Sequence, residues 1–270
     1  MIADEIEYKI YGDDMQMVSI VLDPNESVVA EAGNMMIMTE AIEMDTIFGD
    51  GSKQNDDLLS KMVGAGKRLL TGESLFMTLF TNVGPNREQV TFAAPFPGKI
   101  LPIDLTQYQG EIICQKDSFL CAAKGVSIGI AFNKKIGVGL FGGEGFIMER
   151  LQGDGLTFIH AGGTLVKKEL KAGEVLKVDT GCLVALTRDV SFDIQRAGGI
   201  KTSLFGGEGL FLSRLTGPGT VWLQSLPFSR LARRVVAASG YVSEKSNTSQ
   251  GEGSLIGGVV GDFLRGDTNF

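Results

Sequence analysis

Residues 141–151 read FGGEGFIMERL, and residues 205–215 read FGGEGLFLSRL. A diverged third copy, LTGESLFMTL, lies at residues 70–79, so that the shared glutamates are 71 and 64 residues apart. A pattern written three times at similar spacing is typical of a repeated architecture, whereas catalysis normally needs one constellation in one place. We therefore interpret this stretch as a structural repeat, which predicts fold class more directly than biochemical activity.

The repeat extends beyond this motif into a turn and a second strand. Glycine-containing turns follow the three copies at residues 84–85, 153–155 and 217–219, and the apolar runs VTF, LTFIH and TVWLQ come after them. Two apolar runs joined by such a turn predict a β-hairpin. A further echo between DSFLCAA and DTGCLVA, which begin at Asp117 and Asp179, favours duplication of a larger unit.

Composition indicates a mostly β protein. The chain of 270 residues contains 37 glycines, 16 phenylalanines and 7 prolines, and its apolar residues rarely follow helical spacing, as expected for many short strands joined by tight turns. We predict an N-terminal β module over residues 1–125, a C-terminal β module with repeated hairpins over residues 126–228, and a short basic helix with a flexible glycine-rich tail over residues 229–270.

Local patterns predict one turn and two short helices. Asp-Pro-Asn at residues 23–25 separates two strand-like runs and predicts a turn, because proline presets φ and the Asx side chains cap it. Apolar residues near helical spacing predict a short helix at residues 55–70. The sequence SRLARRVVAA at residues 229–238 predicts a second, amphipathic helix with Ser229 at its N-cap.

Charge and cysteine content limit the functional classes. The net charge is −7, and residues 1–60 hold 14 acidic and 2 basic residues, against 18 acidic and 23 basic residues in the rest. This asymmetry fits an acidic solvated edge or complementarity between subunits, and no clustered basic face predicts nucleic-acid binding. Three cysteines without a Cys-x-x-Cys pair predict buried free thiols in a reducing compartment. The sequence has neither a signal-peptide pattern nor an apolar run of about 18 residues, so we predict a cytoplasmic protein.

The run GVGLFG at residues 137–142 matches the letters of the dinucleotide-binding fingerprint but not its context. That fingerprint needs a helix N-terminus after the glycines, whereas Gly143, Glu144 and a strand-like run follow here. A carboxylate at this place would repel a phosphate. We therefore predict no nucleotide site, no other cofactor site and no metal site.

His160, Trp222 and Gln224 are candidate ligand or interface residues. His160 is the single histidine, which excludes metal sites built from two or more imidazoles of one chain. Gln224 holds the same position in the next repeat, and this interchange favours a hydrogen-bonding structural or interface group over a proton shuttle. A general base working with a cysteine nucleophile is the catalytic alternative. Trp222 would belong to the core or a subunit interface, or would line a ligand pocket.

Glu73, Glu144 and Glu208 follow glycine at the same point of each repeat. Three carboxylates that meet at an axis would suit a hard cation such as Ca²⁺. We favour the alternative that each glutamate accepts backbone N–H bonds across its own bulge, because one role then explains all three copies. Glu144 and Glu208 are therefore kept as candidate ligand or interface residues. Glu149 and Arg150 are interpreted as solvated residues or cross-strand pairs.

Longer strings resemble a known family. These are CQKDSFLCAA at residues 114–123, HAGGT at residues 160–164, VDTGCLV at residues 178–184, VWLQSLPFSRLA at residues 221–232 and the two FGGEG runs. They resemble the bacterial branch of the family named for altered inheritance of mitochondria, over about residues 5–240. That family is similar in fold to the tryptophan RNA-binding attenuation protein (TRAP). The resemblance implies duplicated, double-stranded β-helix-like modules of the β-sandwich or barrel type, assembled as a compact homo-oligomer.

The resemblance supplies no catalytic residues, and we predict a non-enzymatic scaffold or assembly protein that acts as a homo-oligomer, with a trimer as the candidate number. The expected partners are further copies of the chain, another protein and a membrane touched weakly by the C-terminal tail; a mitochondrial relative is associated with inner-membrane organisation. RNA and tryptophan binding are not transferred, because a net negative charge opposes phosphate contacts. The alternative function is a small-ligand-binding β module that uses the region near His160 and Trp222.

Overall fold

The computed structural model describes residues 3–31, 33–48, 76–134, 145–196 and 211–239. Within these residues β-strand is the main secondary structure, which confirms the predicted mostly β class. The strands are β1 (Glu7–Tyr11), β2 (Met17–Leu22), β3 (Ser27–Glu31), β4 (Met35–Met38), β5 (Ile42–Phe48), β6 (Phe76–Asn82), β7 (Glu88–Ala93), β8 (Gly98–Asp104), β9 (Glu111–Gln115), β10 (Phe119–Ala123), β11 (Ser127–Lys134), β12 (Phe146–Gln152), β13 (Leu156–Gly162), β14 (Leu165–Leu170), β15 (Val175–Asp179), β16 (Leu183–Thr187), β17 (Ser191–Arg196), β18 (Phe211–Thr216) and β19 (Gly219–Gln224).

Helical structure is sparse in the described residues. The α-helix α1 (Phe228–Ala238) follows β19, and short 3₁₀ turns cover Leu105–Tyr108, Lys116–Ser118 and Thr180–Cys182. The amphipathic helix predicted at residues 229–238 is confirmed, but its N-cap is Pro227 and not Ser229, which lies inside the first turn. The helix predicted at residues 55–70 lies outside the described residues. No helix in the described part of the chain is long and apolar enough to cross a membrane.

The described strands form four antiparallel sheets. Sheet 1 has the order β1-β2-β7-β4, sheet 2 has β5-β6-β3-β10-β13-β8, sheet 3 has β11-β12-β9-β16-β19-β14, and sheet 4 has β15-β18-β17. Adding six to every strand number of sheet 2 gives the order of sheet 3. The same shift of six relates β4, β7 and β2 of sheet 1 to β10, β13 and β8 of sheet 2. It also relates β11, β12 and β9 of sheet 3 to β17, β18 and β15 of sheet 4. The chain therefore repeats a six-strand unit as β3–β8, β9–β14 and β15–β19, with α1 in place of the last strand.

The hydrogen-bonded register aligns these units residue by residue. The same bulge recurs where β4 meets β7, β10 meets β13 and β16 meets β19, and it makes Met35, Phe119 and Leu183 equivalent. The echo between DSFLCAA and DTGCLVA is therefore offset by two residues, because it would align Phe119 with Gly181. The letters still match because side chains alternate between faces with a period of two, so a shift of two preserves the inward and outward pattern.

The predicted hairpins are wrong in their pairing, although both strands of each exist. The strand after each glycine motif and the strand after the next turn lie in different sheets: β6 and β7, β12 and β13, and β18 and β19. The glycine turns at residues 84–85, 153–155 and 217–219 are corners between sheets. The strands that pair as hairpins are β5 with β6, β11 with β12 and β17 with β18. An apolar run predicts that a strand exists but not which strand it pairs with. The hairpin prediction therefore gave the right strands and the wrong partners.

The predicted turn at residues 23–25 is confirmed, with Asn25 in the left-handed region at φ 73°. Of the three cysteines, Cys114 and Cys121 are buried as predicted, whereas Cys182 is only half-buried. Sheet 2 contains strands from both sides of residue 125, so the two predicted β modules share a sheet and their division stays a prediction.

Two apolar clusters form the core. The larger one packs side chains of sheets 1 and 2 and reaches Val184 and Trp222 in sheet 3. The smaller one lies between sheets 3 and 4 and includes Phe146, Leu186 and Leu215. Neighbouring sheets are thus packed face to face, in keeping with the sandwich-like fold that was predicted.

Candidate functional site

His160 is a packed core residue of β13 that is 1% exposed. Its ring meets Phe96 edge-on at 4.5 Å between ring centroids, and a Cβ added to Gly98 would lie 2.6 Å from its Nε2. Neither ring nitrogen makes a hydrogen bond of standard geometry. Burial lowers the pKa of His160 to about 4, which the nearby Phe96 backbone opposes. The imidazole is therefore neutral near pH 7. The backbone at Gly98 packs so closely against Nε2 that no ligand fits there.

The catalytic alternative for His160 lacks its essential contact. A thiol enzyme needs the base within hydrogen-bond reach of the nucleophile, and all three cysteines lie in the described residues. None of them forms a hydrogen bond with either ring nitrogen of His160. The described residues also contain no group of three His, Cys, Asp or Glu side chains placed to hold a metal ion.

Gln224 links three segments of the fold. Its Oε1 accepts a hydrogen bond from the Gly162 backbone N–H at 2.8 Å, and its Nε2 donates to the Gly181 carbonyl oxygen at 2.8 Å. The residue is 7% exposed. Both polar ends of the amide are satisfied internally, so Gln224 acts as a structural cross-link between β13, β19 and the 3₁₀ turn at Thr180–Cys182.

Trp222 lies in the core and beneath a surface cavity. It is 1% exposed, and its ring packs edge-on against Tyr108 at 5.3 Å. The ammonium nitrogen of Lys167 lies 5.7 Å from the Tyr108 ring and 5.9 Å from the Trp222 ring, within the range of a cation–π contact. Trp222 therefore supports the two residues that face the cavity without lining it.

The cavity has a volume of about 400 Å³ and a largely polar lining. Four segments contribute to it: residues 107–109, Lys167 with Glu169, residues 187–189, and residues 219–220. Its charged groups are already paired, since Lys167 Nζ lies 3.5 Å from a Glu169 oxygen and Asp189 accepts a hydrogen bond from the Gln109 amide at 3.0 Å. The cavity offers an aromatic ring, amides and hydroxyls, which can orient a small polar ligand.

Glu149 is a buried ionisable residue that the sequence analysis did not identify. Against the interpretation as a solvated residue or cross-strand pair, its side chain is buried at 1% exposure, and neither carboxylate oxygen has a hydrogen-bond partner. Burial raises the pKa of Glu149 to about 8, repulsion by Glu31 adds to the shift, and Lys116 opposes it. Arg150, by contrast, does form a cross-strand pair, with its Nε 3.4 Å from Glu111. The sequence feature that could have revealed this is the alternation of side chains along β12, which puts Glu149 on the same buried face as Ile147 and Leu151.

Cys114 is the neighbour of Glu149 across the sheet, because β9 pairs with β12 at these two residues. Burial raises the pKa of the Cys114 thiol well above its usual value, and the charges of Glu149 and Glu31 add to the shift. In the next unit Ser213 replaces Glu149, and its buried hydroxyl also lacks a hydrogen-bond partner. This position is thus polar and buried in two units.

Glu144 and Glu208, like Glu73, lie outside the described residues. The strands that flank them are equivalent, since the three glutamates lie between β5 and β6, between β11 and β12, and between β17 and β18. The structure therefore brings together Trp222, Tyr108 and Lys167, and separately Gln224 with the backbone next to His160.

Comparisons with known proteins identify the family. The family described as Mitochondrial biogenesis AIM24 matches residues 8–226. An uncharacterised protein of Streptococcus pyogenes serotype M6 is 30% identical over 220 residues, which are 80% of this chain and 84% of that protein. A crystal structure of a Streptococcus pyogenes protein has a TM-score of 0.68 at 22% identity, covers 87% of this chain and 100% of its own, and supports the fold alone. The chain therefore belongs to the mitochondrial biogenesis AIM24 family.

Proposed function

We propose that this protein is a non-enzymatic scaffold that assembles head to tail with copies of itself, through β15 of one copy and β4 of the next. The observation that carries the proposal is the repeat itself. The first strand of a unit pairs with the second strand of the next unit, as β3 does with β10 and β9 with β16. By this rule, and within the described residues, β15 has no second strand from a following unit and β4 has no first strand from a preceding one. A neighbouring copy supplies both.

The exposure of β4 supports this reading. Residues 120–122 and residues 184–186, which are the equivalents in β10 and β16, are fully buried where those strands have partners on both sides. In β4, Met36 and Ile37 are each 54% exposed and Met38 is 38% exposed. Burial of one such side chain contributes roughly 1.5–3 kcal/mol, and an open apolar edge strand is a template for pairing with another chain.

The repeat also predicts the register of the joint. Ala30 lies opposite Cys121 where β3 meets β10, and the equivalent residues are opposite each other where β9 meets β16. Val178 holds the position of Ala30 in β15, and Ile37 holds the position of Cys121 in β4. Across the joint, Val178 of one copy should therefore lie opposite Ile37 of the next.

Several finer expectations belong to the same proposal. A trimer is the proposed number of copies, and a TRAP-like arrangement of repeated units around an axis is proposed with it. The absence of catalysis, a cytoplasmic location, a further protein partner and a weak membrane contact through the C-terminal tail are proposals with it. Nucleic-acid binding is not expected, since no basic face was found in the sequence.

Light scattering on the full chain tests the assembly. We expect a particle with three times the 28.8 kDa mass of the chain, and a monomer for Ile37→Lys, because a charge would then have to be buried in the joint. Val166→Lys is the matched control, since Val166 is 47% exposed on the edge strand β14, away from the joint. A strict monomer at micromolar concentration, or equal disruption by both variants, would overturn the proposal. Another copy number would overturn the trimer alone.

A second candidate function is small-ligand binding in the cavity beside Tyr108 and Lys167. Its support is the cavity volume of about 400 Å³, in the range that small-molecule sites occupy. A saturating ligand at about 100 times its dissociation constant adds about 2.7 kcal/mol to stability, which thermal-shift screening of a polar metabolite library detects. Lys167→Ala should lose the shift and Tyr11→Ala should retain it. A library without any stabilising compound counts against this function.

A further inference from the structure

We propose that α1 of one copy binds residues 12–16 of the next copy, an inference that rests on the head-to-tail assembly proposed above. The helix sequence FSRLARRVVAA contains three arginines and no acidic residue, and none of its side chains is buried. Phe228 is 53% exposed and Val235 is 61% exposed. A helix with an uncovered apolar stripe beside a basic one is suited to an acidic and partly apolar surface.

The helix is anchored at the edge that the assembly would use. Arg230 Nη2 lies 3.3 Å from Asp179 Oδ2, and Asp179 is the last residue of the open strand β15. At the helix start, the Phe228 ring lies 5.3 Å from the Phe96 ring. These contacts hold the first turn of α1 beside the joint and leave Arg233 and Arg234 exposed.

The stacking of the strand connections identifies what should lie next to the helix. Residues 12–16, 94–99, 162–164 and 225–227 lie side by side in this order, joined by backbone hydrogen bonds. The two middle segments connect the fifth strand of a unit to its sixth. Residues 225–227 follow β19, a fifth strand that is followed by no sixth strand in the described part of the chain. Residues 12–16 lead into β2, which corresponds to a sixth strand whose fifth strand is likewise missing from that part. In a head-to-tail assembly these two ends complete one connection, which brings residues 12–16 of the next copy to the first turn of α1.

The two surfaces are complementary in charge and polarity. Asp13 and Asp14 are exposed, and Lys99 Nζ of the same copy lies 3.7 Å from an Asp14 oxygen. Both carboxylates would also lie within reach of Arg233 and Arg234 of the preceding copy. Met15 is 61% exposed and provides an apolar contact for the helix. The pairing agrees in sign with the uneven charge of the chain, in which residues 1–60 are net acidic and the rest is net basic. Complementary charge of this kind raises association rates and selects the partner surface.

Charge reversal in the full-length protein tests this inference. Arg233→Glu/Arg234→Glu should weaken self-association about tenfold at low ionic strength, as measured by sedimentation velocity, and the loss should shrink at high salt because exposed charges are screened. Combining this variant with Asp13→Arg/Asp14→Arg should restore association. The matched control is Lys168→Glu/Lys171→Glu, which makes the same change in net charge on exposed lysines of β14 and the turn after it, and it should associate normally.

The outcomes separate this inference from the proposed assembly. If Ile37→Lys dissociates the protein but Arg233→Glu/Arg234→Glu associates normally, or if the combined variant is no better than either part, the helix contact is wrong and the strand joint stands. If wild-type protein is monomeric, the joint itself is wrong. Flotation with vesicles rich in anionic lipid tests whether the helix binds a membrane surface rather than a second copy. Vesicle binding that needs Arg233 and Arg234, with unchanged self-association, would assign the helix to a membrane surface instead.

Discussion

The buried carboxyl of Glu149 allows a quantitative prediction about pH. Its pKa is raised from 4.5 to about 8 in the folded chain, so the folded state keeps a proton that the unfolded state releases. Stability from this group is therefore fully present below about pH 4.5 and is lost as the pH rises to about 8. One pKa unit corresponds to about 1.36 kcal/mol. At pH 7 the ionisable group lowers the free energy of unfolding by about 3 kcal/mol.

Glu149→Gln removes this dependence, because the amide stays neutral at every pH and has nearly the shape of the protonated acid. We expect the variant to be about 3 kcal/mol more stable than wild type at pH 7 and to match it near pH 4.5. Denaturant unfolding at fixed protein concentration between pH 4.5 and 8.5 measures the difference. Glu43→Gln, an exposed change on β5, is the control and should leave the pH profile unchanged.

Two results would refute the reasoning about Glu149. A stability difference that does not change with pH would mean that the carboxyl titrates alike in both states. A Glu149→Gln protein that is less stable than wild type at pH 7 would mean that the carboxylate is ionised and paired in the folded chain, against the absence of any hydrogen-bond partner for its oxygens.

Three further substitutions test the packed residues. The lowered pKa of His160 contributes stability above about pH 6.5, and this contribution of about 3 kcal/mol to the free energy of unfolding is lost as the pH falls to about 4. His160→Gln should remove this loss. Denaturant midpoints of the variant that still fall over that pH range would contradict this. Gln224→Leu leaves the Gly162 N–H and Gly181 C=O unpaired and should lower the free energy of unfolding by about 2–4 kcal/mol, whereas a change under about 0.5 kcal/mol would mean that water replaces the amide. Trp222→Ala should cost about 3–5 kcal/mol and lower the melting temperature, and an unchanged melting temperature would contradict its burial.

The two titrating groups oppose each other over part of the pH range. Between about pH 4.5 and 6.5 the rising contribution of His160 cancels the falling contribution of Glu149, so these groups alone give a flat stability profile there. Glu149→Gln removes the fall of stability with rising pH and leaves the rise due to His160. His160→Gln removes that rise and leaves the fall due to Glu149. The same denaturant series therefore tests both assignments.

Much of the architecture could be read from the residues. The glycine motif marked the repeat, the alternation of apolar runs marked the strands, and the arginine-rich stretch after residue 228 marked α1. Strand pairing could not be read in this way. A corner and a hairpin use the same glycine turns, and only the packing of one sheet on another decides whether the chain continues in its own sheet or crosses to the next.

The candidate site was harder to predict than the fold. His160 and Gln224 were correctly matched as equivalent residues, and the structure gives them buried structural settings. Glu149 was misjudged because a charged residue in a strand is usually exposed, and burial of its face depends on sheets that are distant in sequence. A ligand pocket near Trp222 was among the alternatives that the sequence left open, but the residues that line the cavity could not be named, because they come from four separate segments.

The central claim is that β15 and β4 of neighbouring copies form one antiparallel pair, and a cysteine pair tests it most directly. In Ile37→Cys/Val178→Cys the two thiols should lie opposite each other across the joint, at a distance that an antiparallel pair brings within disulfide reach. Mild oxidation should then join copies of the full-length chain into covalent oligomers on non-reducing gels. The single variants, and Ile37→Cys combined with Val166→Cys, should stay unjoined. Monomers from Ile37→Cys/Val178→Cys, or equal joining in the controls, would contradict the claim.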